Sequence, residues 1–377
     1  MDFSLTEDQA TVRDLANQVL APLAPTEPKA DYPPVERMEP DETAWRRLAE
    51  ANLLGLSLSE AAGGSALGLT PTALVVEQAG WTAARVPIVG VLAAALAIDR
   101  FGTDAQRQGL LASVAAGSTL LTAALSEPRT LDPLSLHTEA RRDGDAWVVT
   151  GAKLAVAAAD RAERVLVPAS CAGEGIVLLL VDPDSSGVTP TAQRNSSGEE
   201  EFDLDLEGVR VAAEDVVCGP ERGAEAMTFL LGRASLLTAA LALGLAQRQL
   251  EVTAEHVSQR EQFGVPIGTF QGVAMRVADM LVDVEAMRTT LWQALWRLDN
   301  DLPAEEEITI AKFWASEGGE RVASSAVHLH GGIGVDTDYP LHHYFLRSKV
   351  AELALGSASW QIDRLGGQIA ARAGAPA

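Results

Sequence analysis

A chain of 377 residues can hold one large domain or two to three ordinary ones. It is 47% hydrophobic and 21% charged, the balance of a soluble globular protein and not of a disordered one. Its net charge of −23 opposes nucleic acid and anionic membranes as partners, because their phosphates are repelled.

In chain order, "MDFSLTEDQA" lacks a basic patch followed by an apolar core, so no signal peptide is expected. Within it, Thr6-Glu7-Asp8-Gln9 fits a capping box at a helix start. Helical stretches follow around Ala44–Ala51, Ala73–Gly80, Val89–Phe101 and Asp104–Ala116, broken by segments such as "LSEAAGGSALGLTP". The pattern then changes to short valine-rich runs bounded by turns: "AWVVTGAKLAVAA", "RVLVPAS", "GIVLLLVDPDSSGV" and "EEEFDLDLEGVRV". In the last, Phe202, Leu204 and Leu206 alternate with acidic residues, as in a strand with one face in water. From about Ala224 long helical segments return. The order predicts an α+β chain: a helical domain over 1–118, a β domain over 119–223 and a helical bundle over 224–377.

Phe229–Ala246 is apolar enough to resemble a membrane span, but Arg233 and its many small residues point to a helix buried in a bundle. Cys171 and Cys218 match no metal or redox spacing, and a reduced cytoplasmic setting is expected.

Two clusters carry chemistry. "REQFGVPIGTFQ" (260–271) interrupts helical sequence with a cation, two aromatics, two glycines, a proline and an amide. Arg260 can be a surface cation, and Phe263 and Phe270 can fill a core, but neither accounts for the joint pattern. "HLHGGIGVDTDYP" (328–340) sets Gly331, Gly332 and Gly334 within four positions. Such a loop closes a helix or exposes backbone N–H groups to an anion such as pyrophosphate. It follows a helix, not a strand, so it is no Rossmann fingerprint. His328 and His330 have no third ligand at metal spacing.

"SQREQFGVPIGTFQ", "HLHGGIGV" and the domain order together resemble the acyl-CoA dehydrogenase family of flavoproteins across essentially the whole chain. The resemblance implies an N-terminal helical domain, a middle β-barrel or sandwich domain and a C-terminal four-helix bundle. It also implies that Arg260, Phe263 and Gln271, with Gly264 and Phe270 beside them, touch FAD held mainly by a neighbouring subunit. His328 and the Gly331, Gly332 and Gly334 backbone approach the ADP half of that cofactor. Guanidinium meeting pyrophosphate, an aromatic against a flat ring system and an amide at its polar edge suit those roles.

The family removes a proton from the acyl-CoA α-carbon with a glutamate, while a hydride passes to the flavin. Its commonest glutamate position, in a "Y-E-G-T" motif, is Leu355 here, and a second, in the first long C-terminal helix, is Ala234 or Ser235. The flavin-contacting "TEPxAGSD" reads Ser126-Glu127-Pro128-Arg129-Thr130-Leu131-Asp132, and the "W-[IS]-[TS]-N" strand reads Leu154-Ala155-Val156-Ala157. The chain thus keeps the residues that grip a neighbour's FAD and lacks those for its own. This split resembles the base-lacking subunit of actinobacterial α2β2 steroid side-chain acyl-CoA dehydrogenases. It implies an unlike subunit as partner, a steroid-CoA substrate and an electron-transfer flavoprotein or similar acceptor. A self-sufficient homotetramer with Glu352 as a relocated base, or a flavin-free scaffolding subunit, are the alternatives.

Overall fold

The computed structural model describes residues 3–25, 39–130 and 132–374; Leu131, within the stretch compared with the flavin-contacting motif, lies outside them. The chain opens with α1 (Glu7–Leu20), α2 (Glu42–Glu50), α3 (Leu69–Trp81) and α4 (Ile88–Phe101). The short turns α5 (Asp104–Gln106) and α6 (Ala112–Ala115) flank a π-helical turn over Arg107–Leu111. Thr6 starts α1 as its spacing predicts: the Gln9 backbone N–H donates to Thr6 Oγ1 at 3.2 Å, and Gln9 Oε1 accepts from the Thr6 N–H at 3.0 Å. Two orphan donors are satisfied reciprocally, and Val12, Ala16 and Leu20 then fall on one buried face.

The middle segment holds β1 (Leu121–Ala123), β2 (Glu139–Asp143), β3 (Ala146–Ala157), β4 (Arg164–Cys171), β5 (Gly175–Val181), β6 (Val188–Arg194), β7 (Glu200–Val211) and β8 (Val216–Cys218). They join in one sheet ordered β6-β7-β3-β2-β4-β5-β8, with β1 pairing parallel to β4. In β7, Phe202, Leu204 and Leu206 point into the β core, as their alternation predicts. β4 and β5 are apolar on both faces for a different reason. Val165, Val167, Val177 and Leu179 face that β core, whereas Leu166, Leu178 and Leu180 join the helical core behind the sheet. A strand covered on both sides reads as a continuous hydrophobic run. Each fully buried leucine or valine there contributes about 1.5–3 kcal/mol.

One ionic element lies inside this domain. Lys153 Nζ, fully buried, donates to Glu127 Oε1 at 2.6 Å and to the Pro168 carbonyl at 2.7 Å. The second Glu127 oxygen accepts the His137 and Thr138 N–H groups. Burial pulls the Lys153 pKa down to about 8. Buried Cys171 and Cys218 are both free thiols.

Helix returns as α7 (Gly223–Gln259), α8 (Gln271–Asp299), α9 (Glu305–His330), α10 (Leu341–Leu353) and α11 (Ala358–Arg372), with a small hairpin of β9 (Glu261–Gln262) and β10 (Val265–Pro266) between α7 and α8. The first four pack around a common core, and α11 flanks α9. Among the described residues α7 alone is long and apolar enough to cross a membrane, and its apolar window is mostly buried within the bundle. Arg233, inside that window, lies 4.0 Å over the Phe229 ring. Helices α3 and α7 touch backbone to backbone at Gly80 and Gly244. A Cβ on Gly80 would lie 2.1 Å from the Leu241 carbonyl oxygen, and one on Gly244 would lie 1.8 Å from that of Glu77. The observed architecture is the α+β arrangement expected from the sequence, with its three helical and β segments packed as one body.

Candidate functional site

The 260–271 segment forms an exposed hairpin. Val265 pairs with Gln262 and Pro266 with Glu261, so Phe263 and Gly264 make the two-residue turn. Both have positive φ, 55° and 81°, as a type I′ turn demands. Glycine accepts that geometry freely, but a phenylalanine is strained by about 1–3 kcal/mol. Phe263 is also 94% exposed and meets Phe270 edge to face at 6.2 Å. A strained aromatic left in water is an uncompensated cost within a lone chain, and such strain is characteristic of functional contacts. Arg260, which ends α7, is exposed; its N–H donates to the His256 carbonyl, and its guanidinium makes no ion pair among the described residues. Gln271 opens α8, exposed as well.

The second motif lies beside the first. Helix α9 ends at His330, and Gly331–Val335 form a 3₁₀ turn. His330 is buried and stacks on His256, one turn before Arg260, at 4.2 Å between ring centres. Its Nδ1 is 2.8 Å from the Ala326 carbonyl, so the neutral ring carries its proton there. Burial is the main cause of a His330 pKa pulled down to about 4. The stack therefore locks the ends of α7 and α9 together without charge. Gly331 has a φ of 66°, and a Cβ on Gly334 would crowd the Val327 carbonyl at 2.9 Å. His328, Gly331 and Gly332 are exposed, whereas Gly334 is buried. The structure thus brings both motifs onto one surface, with a free guanidinium, an exposed aromatic pair and open glycine backbone. That set can hold a dinucleotide cofactor's diphosphate and flat ring. Among the described residues no cluster of His, Cys, Asp or Glu could hold a metal.

A separate cavity of about 540 Å³ lies where the N-terminal helices, the sheet and the bundle meet. Leu355 and Ala234, two positions read as lacking the family's base, both line it. So do Ser126, Leu154, Ala155 and Ala157, read as lacking its flavin contacts. Ser235 is buried but does not line it. Leu355 has a φ of 58°, and the turn that imposes this is tied from outside the cavity. Gln361 Nε2 donates to the Leu355 carbonyl at 3.0 Å. The buried Lys312 Nζ donates to the carbonyls of Ala351, Glu352 and Gly356 at 3.3–3.4 Å and to Ser316 Oγ at 2.6 Å. Glu352 points elsewhere: its carboxylate accepts from Lys349 Nζ at 2.9 Å, and it does not line the cavity. The lining carboxylates are Glu39, Glu199, Glu200 and Glu201, none from the bundle.

Known proteins resemble this chain in sequence and in fold. Residues 6–118 match the family described as "Acyl-CoA dehydrogenase, N-terminal domain", and residues 221–370 match "Acyl-CoA dehydrogenase, C-terminal domain". The chain belongs to the acyl-CoA dehydrogenase family. It is 35% identical over 380 residues to the acyl-CoA dehydrogenase FadE27 of Mycobacterium tuberculosis, covering 98% of this chain and 99% of that one. Two solved structures are similar throughout. A variant of the Tcur3481–Tcur3483 steroid ACAD has 39% identity and a TM-score of 0.90, covering 98% of this chain and 99% of that chain. The ChsE4–ChsE5 complex from Mycobacterium tuberculosis has 35% identity and a TM-score of 0.91 over the full length of both chains.

As an acyl-CoA dehydrogenase the protein is an oxidoreductase that uses FAD. The exposed motif surface offers a cation and aromatic rings, the chemistry that suits the cofactor's diphosphate and flat ring system, but the cavity carries no hydroxyl or aromatic on Leu154–Ala157 to meet that ring system. Sequence reasoning did not find the Lys312 cap or the Arg85, Arg347 and Glu199 group at the cavity. Each is assembled from distant parts of the chain, and an isolated basic residue carries no local signal of burial.

Proposed function

We propose that this acyl-CoA dehydrogenase chain is the base-lacking subunit of a heteromeric enzyme that oxidises the Cα–Cβ bond of an acyl-CoA thioester. FAD supplies the hydride acceptor for that bond. The substrate class is a steroid-CoA with a shortened side chain, a reading supported by the likeness to a protein titled a steroid ACAD and to a two-component complex. One observation carries the proposal: Leu355 and Ala234 face the chain's own cavity where a glutamate is needed. Neither side chain can take an α-proton.

The chain's working residues lie instead on its exposed surface. Arg260 neutralises the diphosphate of FAD seated mainly in the partner, Phe263 and Phe270 cover its ring system from water, and Gln271 and the Gly331–Gly332 backbone offer hydrogen bonds. The partner contributes the glutamate. Glu352 does not line the cavity and is engaged by Lys349, which weighs against the self-sufficient alternative. Exposed Arg260 and Phe263 weigh against a flavin-free scaffold. Obligate interfaces commonly bury more than about 2,000 Å².

Purifying the chain alone, and then with one unlike family member, tests this. Alone it should be colourless and inactive; together the assembly should carry two FAD per four chains and turn over. A yellow, active homotetramer with one FAD per chain would refute the proposal.

A further inference from the structure

The cavity beside Leu355 has a charged end that dehydrogenation does not use. Arg347, only 4% exposed, has its partners there: Nη1 donates to the Ala84 carbonyl at 2.5 Å and Nη2 to Glu199 Oε1 at 3.1 Å. The other Glu199 oxygen accepts from Ser197 Oγ at 2.7 Å, so this carboxylate is committed as well. Arg85 lines the same cavity and, among the described residues, has no carboxylate of its own; its Nε is buried without a hydrogen-bond partner. Nearby Asp41 accepts the Ala44 N–H of α2 through Oδ1, and its charge and that of Glu199 act on Arg85 from beyond ion-pair distance. The other lining cations have partners: Lys349 pairs with Glu320 and Glu352, and Arg161 with Asp160. Among the described lining residues, Arg85 is the cation left over. A guanidinium stays protonated even in such surroundings, and a half-buried cation with no ion pair among the described residues is a ready partner for an anion.

The rest of the wall is apolar. Leu125, Leu154, Ala234, Leu241 and Leu355 line the same space. About 540 Å³ is within the range of small-molecule sites, which combine an apolar lining with a few placed polar groups. We propose that this cavity is a second, non-catalytic binding site for an apolar monocarboxylate, with the carboxylate on Arg85 and the hydrocarbon body against those leucines and Ala234. The charge favours a monoanion. Glu39, Glu199, Glu200 and Glu201 line the same cavity, so a phosphate or diphosphate, carrying more than one negative charge, would meet four carboxylates with one free cation to balance it. A thioester carries no charge at its acyl carbon, so the site selects a free acid over its CoA ester. This inference rests on the reading above in one respect only: the cavity must not hold a flavin ring.

Isothermal titration calorimetry of the purified assembly with decanoate, decanol and decyl phosphate tests it. Decanoate should bind in preference to both others. Arg85→Met, which keeps a long apolar side chain and removes the charge, should weaken decanoate about ten- to a hundredfold and leave decanol unchanged. Leu241→Trp, which fills the cavity, should abolish both. Equal affinity for decanoate and decanol, tighter binding of decyl phosphate, or an Arg85→Met variant with unaltered decanoate affinity would each overturn the proposal. Flavin counting on the same sample separates the two readings. One FAD per chain defeats both, whereas two FAD per four chains without decanoate binding defeats this one alone.

Discussion

Lys312 should make the enzyme more stable as pH rises from about 7 towards 10, because its charged form is buried with no carboxylate bonded to it among the described residues. Its Nζ is fully buried and touches only Ser316 Oγ and three carbonyls; among the described residues no carboxylate bonds to it. Burial therefore pulls its pKa down to about 7, opposed only by the charge of Glu352. An unfolded lysine titrates near ~10.4. Between these values the unfolded chain binds more protons than the native one, so stability rises with pH across that window. Below about 7 both states are protonated and the whole penalty is present; above ~10.4 it is gone. At ~1.36 kcal/mol per pH unit the gap amounts to about 4–5 kcal/mol at most, and about 2–3 kcal/mol between pH 7 and 9. Lys153, with its pKa near 8, contributes with the same sign, so wild type must be compared with Lys312→Met, which leaves Lys153 in place. The substitution deprives Ala351, Glu352 and Gly356 of a donor and costs about 1–3 kcal/mol on its own. The diagnostic is therefore the difference in slope. Urea unfolding at pH 7, 8 and 9 and one fixed protein concentration should show wild type gaining about 2–3 kcal/mol on the variant. Parallel profiles would refute the account of Lys312 as a charged cap buried without a counterion.

Three further substitutions address the proposed function. Arg260→Ala should weaken FAD retention by the assembly about ten- to a hundredfold, the loss of a charge-assisted contact worth about 1.5–3 kcal/mol, without lowering the melting temperature of the chain, since its exposed guanidinium holds no ion pair among the described residues; an unchanged FAD dissociation constant would remove Arg260 from the cofactor surface. Glu352→Gln should leave turnover within a few-fold of wild type and cost no more than about 1 kcal/mol through the Lys349 pair. A rate loss of about 10²–10⁴ with FAD still bound would make Glu352 the base after all. Phe263→Gly should relieve the strained turn and hold or raise the stability of the isolated chain by about 1 kcal/mol, while assembly and FAD retention fall. Intact assembly by analytical ultracentrifugation would show that the strain serves some other purpose.

What the sequence disclosed depended on how local each cause was. The Thr6 capping box and the alternation of Phe202, Leu204 and Leu206 were legible because a helix start and a half-buried strand are decided within a few residues. β2, reading "EARRD", and β6, reading "VTPTAQR", were not, because both are mostly exposed and show no hydrophobic period. β6 also carries Pro190, which is tolerated because β6 is an edge strand. The exposed motif surface was legible as composition, since arginine, paired aromatics and glycines on a turn are costly unless something meets them. Its joint geometry was not: the His256–His330 stack that welds the two motifs joins residues 74 positions apart only through packing of α7 on α9.

The cavity shows the limit most plainly. A missing glutamate could be read at Leu355 and Ala234, but no local pattern signals that the space around them persists. The structure keeps the left-handed backbone at Leu355 and secures it with Lys312 and Gln361, although leucine gains nothing from that conformation. A left-handed residue other than glycine costs about 1–2 kcal/mol, and the Lys312 and Gln361 hydrogen bonds to the turn offset it. That turn, and an Arg85 whose Nε has no hydrogen-bond partner at the same cavity, are why the proposed occupant is sought there and not on the exposed surface.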